Sequence, residues 1–140
     1  MDAPISEFVL HRRVQFSETD ASGLVHFTSF FKYVEEAEHA MWRAVGLSIF
    51  SRGAEVGWPR VSASFDFRRP LYFEDEFDVH LKVAALGSKT IRYAVELRKD
   101  DEVVAEGGVI IACTRREGGR LRATHIPPGI AARFAVARSS

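Results

Sequence analysis

Residues 29 to 45 carry the one long helical repeat of this sequence, and they constrain the architecture more than any other stretch. Phe30, Val34, Ala37, Met41, Ala44 and Val45 recur at steps of three and four, while Lys32, Glu35, Glu36, His39 and Arg43 occupy the other side. Thr28 or Ser29 suits the N-cap, and Gly46 suits the stop. At 1.5 Å per residue such a helix is about 27 Å long, enough to lie along a strand of about eight residues. Everything after it reads as strands, so the helix has a sheet to pack on.

The strands follow a period of two. Phe8, Leu10, Val14 and Phe16 alternate with His11, Arg13 and Gln15, which predicts a first strand running to Phe16. Arg12 interrupts it, as expected near an edge or a mouth. Val61, Ala63, Phe65 and Phe67 form the apolar side of a second strand, opened by Trp58-Pro59 and closed by Pro70. Phe77 to Ala85 makes a third, turning at Gly87-Ser88 into a fourth with Ile91, Tyr93, Val95 and Leu97 inward. After Asp100-Asp101 comes a fifth strand, Val103 to Cys113, whose second face (Val104, Ile110, Ala112) is also apolar and calls for cover or a subunit contact. Gly107-Gly108 marks a bulge or a close approach. Beyond Gly118-Gly119, Leu121 to His125 adds a short extended piece, and Pro127-Pro128 introduces a brief helix from Gly129 to Ala137. The prediction is an α+β domain spanning residues 1–140, a five-stranded, mainly antiparallel sheet wrapped around one long helix.

The totals exclude several classes. With 19 Lys plus Arg against 19 Asp plus Glu, the 140-residue chain has no net field to recruit nucleic acid or an anionic membrane. No apolar run reaches membrane-spanning length, and the N-terminal residues lack the pattern of a signal peptide, so a cytoplasmic location is expected. The single Cys113 lies in an apolar run and reads as a buried small hydrophobe. The five histidines show no metal-ligand spacing, and neither a metal nor a cofactor is expected.

Chemistry is concentrated just before the helix. Asp20 precedes Ser22-Gly23, a natural tight turn, and the chain then enters the helix, whose first amides lack intrahelical partners. A carboxylate beside such amides is a pairing suited to attacking and polarising a carbonyl. The same residues also make an ordinary turn.

Asp20-x-x-Gly23-x-Val25-His26-x-x-x-Phe30, followed by Tyr33-x-Glu35-Glu36-Ala37, resembles the signature of hotdog-fold acyl-CoA thioesterases of the 4-hydroxybenzoyl-CoA type. Val61 to Val79 resembles the same family's strand-turn-strand region, so the likeness covers about residues 10 to 115. It implies Asp20 as nucleophile or general base, with an oxyanion contact from a backbone N–H around His26 or Phe27. It further implies substrate contacts from Gly23, Val25, His26, Phe27 and Lys89, the last toward the coenzyme A phosphates, with Arg68-Arg69 as the other option; Trp58, most simply core, is a further candidate for contact with the acyl group in a pocket between subunits. Coenzyme A then belongs to the substrate, and the active sites lie at the interface of a homodimer or homotetramer. Another branch of the family places its carboxylate on the helix. Glu35 and Glu36 read instead as a solvated face with Lys32–Glu36 and Glu35–His39 pairs. Phe16 and Phe27 depart from many relatives, which carry Tyr at the first position and His or Tyr at the second. Both changes favour the alternative, a non-catalytic module that binds an acyl-CoA or acyl carrier.

Overall fold

The computed structural model describes residues 3–138. Strand β1 (Glu7–Arg13) leads through a 3₁₀ turn (Phe16–Glu18) to helix α1 (Phe27–Ala44). Strands β2 (Arg60–Phe67), β3 (Glu76–Leu86), β4 (Thr90–Lys99) and β5 (Glu102–Ala112) follow, then the small hairpin β6 (Thr114–Glu117) and β7 (Arg120–Ala123) and the one-turn α2 (Pro128–Ala131). The main sheet has the order β1-β3-β4-β5-β2, with every pairing antiparallel. Helix α1 lies against it.

The inner face of the sheet supplies Phe77, Val79, Leu81, Ile91, Tyr93, Leu97, Val109 and Ile111, all buried, and the helix meets them with Phe30, Tyr33, Val34, Ala37, Met41 and Trp42. Each fully buried large side chain contributes about 2 kcal/mol by removal from water. Gly107 is required where β5 passes β2, because a Cβ there would lie 1.9 Å from the Ser64 carbonyl oxygen. Asp100 and Asp101 both take left-handed backbone (φ 50° and 64°), the geometry of a tight two-residue hairpin turn.

Local expectations change at the end of β1 and at the β3–β4 turn, and the second face of β5 takes one of its two alternatives. Strand β1 stops at Arg13: Val14 turns inward, buried, donating to Asp75 and accepting from Glu74, while Phe16 opens the 3₁₀ turn and is 73% exposed. Sequence alternation continues past the point where the backbone leaves the sheet. The β3–β4 turn centres on Ser88-Lys89, since Gly87 N–H bonds the Thr90 carbonyl. The second apolar face of β5 is largely covered within the chain. Val104 and Ala112 are buried, and the neighbouring backbone is tied down there, Arg68 and Arg69 donating their amides to Val104 and Ala112 donating to Pro59.

Candidate active site

Asp20 sits in a small loop pinched at its base, where Thr19 bridges Val25. Its N–H donates to the Leu24 carbonyl at 2.7 Å, and its own carbonyl accepts from Gly23 N–H at 3.1 Å. Gly23 turns the chain with φ +83°, a conformation that disfavours any side chain. One carboxylate oxygen of Asp20 accepts the Ser22 N–H at 2.8 Å and the Ser22 hydroxyl at 2.6 Å. Among the described residues nothing donates to the other oxygen. The Ser22 hydroxyl, then its amide, holds the Asp20 carboxyl below the ordinary aspartate range, so an exposed anion with one free oxygen is its resting form.

The loop hands over to α1 two or three residues earlier than expected. His26, not Thr28 or Ser29, is the N-cap: its Nδ1 accepts from Thr28 N–H at 3.3 Å and bonds the Thr28 hydroxyl at 2.8 Å. The imidazole is thus engaged in capping. The two candidate oxyanion donors also separate. His26 N–H is taken by the Glu18 carbonyl at 2.9 Å, whereas Phe27 N–H, the first amide of the helix, has no acceptor among the described residues. Val25 is buried and donates its amide to Leu71, tying the loop to the segment before β3. The Phe27 ring stacks on His26 at 4.7 Å and is 58% exposed.

Beside this helix start lies a recess of about 320 Å³ walled by Leu24, Phe27, Phe30, Phe67, Arg68 and Leu71. It is apolar and aromatic, with guanidinium groups at the rim: Arg68 pairs with Glu106 at 2.6 Å and Arg69 with Glu102 at 3.1 Å. A larger groove of about 680 Å³ runs over the outer face of the sheet, but its walls include Asp66, Lys82, Glu96 and Arg98, and it is remote from Asp20.

Gly23, Val25, His26 and Phe27 therefore gather around Asp20, and Trp58 and Lys89 do not. Trp58 packs edge-to-face on Trp42, ring centres 5.0 Å apart, in the C-terminal half of α1. Fifteen residues of helix separate Phe27 from Trp42, about 22 Å. Lys89 lies in the β3–β4 turn, at the far end of the strand whose start adjoins the Asp20 loop.

Beneath the loop is a charged cluster that sequence spacing did not reveal. Arg12 reaches from β1 to both Glu36 (2.6 and 2.8 Å) and Glu18 (2.5 and 3.0 Å), with its guanidinium 4.9 Å from the Tyr33 ring centre. Glu18 also accepts the Tyr33 hydroxyl and the Gln15 amide, both at 2.8 Å. Burial pushes the Glu18 carboxyl up, but Arg12, Gln15 and Tyr33 together hold it below the ordinary range. Burial, then Glu18, raises the Tyr33 hydroxyl. The expected Lys32–Glu36 and Glu35–His39 pairs are not formed; Glu36 takes the bidentate Arg12 fork, which outcompetes a solvated lysine. Glu35 is exposed. The available clue was Arg12 itself, a charge inside an otherwise alternating strand.

Residues 14–134 match the thioesterase-like superfamily. The chain belongs to that family, and it is a hydrolase of the thioesterase class with the hotdog fold. A 1,4-dihydroxy-2-naphthoyl-CoA hydrolase from Synechococcus elongatus is 31% identical over 112 residues, 78% of this chain and 82% of the relative. A gentisyl-coenzyme A thioesterase of known structure superposes with TM-score 0.80 at 26% identity, covering 91% of this chain and 99% of the other. A protein from Aquifex aeolicus superposes with TM-score 0.84 at 29% identity, covering 91% and 99%.

Proposed function

We propose that this protein hydrolyses an aromatic acyl-CoA thioester to the free acid and coenzyme A, with Asp20 as the working carboxylate and the Phe27 amide as the oxyanion donor. The observation that carries the reading is an ionised carboxylate with one free oxygen in the loop that leads into α1, together with an unpartnered first-turn amide where that helix begins. Asp20 attacks the thioester carbonyl or draws a proton from the attacking water, and the amide takes the developing negative charge. The recess walled by Phe27, Phe30 and Phe67 suits an aryl group, in keeping with the aryl-CoA substrates named for two of the relatives. Coenzyme A is part of the substrate, and no further cofactor has a role. His26 acts through capping.

The separation of Trp58 and Lys89 from Asp20 fits an assembly of at least two copies. Strand β2 is an unpaired edge with Val61 60% exposed, and pairing two such edges about a twofold axis continues the sheet. A homodimer or homotetramer built this way brings the partner's Trp58 and the partner's Lys89 toward the Asp20 end, whereas Arg68 and Arg69 already stand there.

A binding module without turnover is the second reading, favoured by Phe16 and Phe27, which supply no polar group to support the carboxylate. A panel of aryl-, arylacetyl- and fatty acyl-CoAs, read by free thiol release, separates the two. Turnover fastest on aromatic members supports the hydrolase. Tight binding with no thiol released from any member would move the assignment to the module.

A further inference from the structure

We propose that Glu18 is a positioning residue that locks the Asp20 loop onto the start of α1 and so sets the separation between the Asp20 carboxylate and the Phe27 amide. This rests on the hydrolase reading above. Glu18 acts with both its side chain and its main chain. The carboxylate takes four donors from three elements: Arg12 Nη1 and Nη2 from β1, the Gln15 amide from the 3₁₀ turn, and the Tyr33 hydroxyl from the helix. Its carbonyl takes two more from the helix start, the His26 amide at 2.9 Å and the Ser29 hydroxyl at 3.1 Å.

The consequences follow from donor counting. A carboxylate has about four acceptor positions; Oε1 of Glu18 takes Arg12 Nη1, the Gln15 main-chain N–H and the Tyr33 hydroxyl, and Oε2 takes Arg12 Nη2, so the group is committed to holding these three elements together. Its side chain is 14% exposed, against the exposed carboxylate two residues later. Because the Glu18 carbonyl consumes the His26 amide, the Phe27 amide is the one left free at the loop–helix junction. The loop's other ties, from Gly23 to Phe73 and from Val25 to Leu71, run to the segment before β3, so Glu18 is the residue that joins the loop to β1 and the helix start together. Displacing a reacting group by about 1 Å costs up to about a hundredfold in rate.

Two variants test this. Glu18→Gln keeps the shape but turns one acceptor into a donor facing Arg12 or Tyr33. Tyr33→Phe removes one donor and leaves the ion pair, so it folds even if the first does not. Val79→Ala, a cavity in β3 away from the site, serves as a control of comparable stability loss. Below all melting transitions, Glu18→Gln is expected to lower kcat about tenfold or more with KM changed less than about threefold, and Tyr33→Phe to lower kcat by less. Hydrogen exchange at the His26 amide should quicken about tenfold while β3 and β4 amides keep their rates. Wild-type kcat and wild-type His26 exchange in Glu18→Gln would overturn the proposal. So would a loss of kcat without faster His26 exchange, or one matched by Val79→Ala. If Asp20→Asn retains full turnover, or no thioester is cleaved at all, it is the hydrolase reading that falls, and the His26 exchange rate still decides the positioning role.

Discussion

One carboxylate, Asp20, lies in the loop before helix α1 and another, Glu38, in the helix's C-terminal half, and their surroundings are opposite. Asp20, just before the N-terminus, is exposed, with one oxygen held by Ser22 and the other free. Glu38, in the C-terminal half, is 1% exposed and pairs with Arg60 at 3.0 Å, its second oxygen closed off from water. Around it, Trp42 Nε1–H donates to the Tyr93 hydroxyl at 3.0 Å, and burial, then the Glu38 charge, pushes that hydroxyl well up. One end is arranged so that a substrate can reach an anion. The other encloses its anion and balances it with a cation. A carboxylate's presence near this helix says little; the access of solvent to its second oxygen separates chemistry from architecture.

Breaking the buried end should produce the largest change in stability. Arg60→Met removes the arginine partner of the buried Glu38 carboxyl, at a cost of about 3 kcal/mol. Denaturant titration measures it, and the folded variant should retain its turnover. Adding Glu38→Leu to Arg60→Met should recover most of the loss, since a well-packed apolar pair replaces buried ions at little cost. A stable Arg60→Met protein would mean that the pair contributes little.

The exposed end should respond in its pH profile. The folded-state pKa of Asp20 is lowered, so its ionised form persists as pH falls until that depressed value is reached. Turnover carried by the anion then stays flat as pH falls through the ordinary aspartate range and declines only below it. Ser22→Ala removes the largest cause of the lowering and should shift the acid limb upward, toward the ordinary aspartate value, with a few-fold change at most in the plateau rate. A limb that stays put or moves down contradicts the link between Ser22 and the working group. Smaller still is Glu35→Gln, on the solvated side of the same helix, expected within about twofold of wild type in both turnover and stability.

How much of this was legible in the sequence differs between the two ends. The helix and the sheet strands show in the periodicities, because each element buries one face. Asp20 and Gly23 show because a tight turn uses few residue types. Glu18 does not show: its partners lie 3, 6 and 15 residues away, and only tertiary packing unites them. Glu38 left a trace, a charge at a stripe position four residues after Val34 and three before Met41. Phe16 misled because alternation in the chain persists after the backbone leaves the sheet. Trp58 and Lys89 carry no mark of which end of the fold they occupy, which depends on strand direction.

The most direct test sets the two carboxylates against each other: single-turnover thiol release from the best aryl-CoA by Asp20→Asn and by Glu38→Gln, each assayed well below its melting transition. The account predicts that Asp20→Asn slows the chemical step by about two orders of magnitude with little loss of stability. It predicts that Glu38→Gln loses stability and turns over within about threefold of wild type per folded molecule. Near-normal turnover by Asp20→Asn, or a collapse in folded Glu38→Gln, would contradict it.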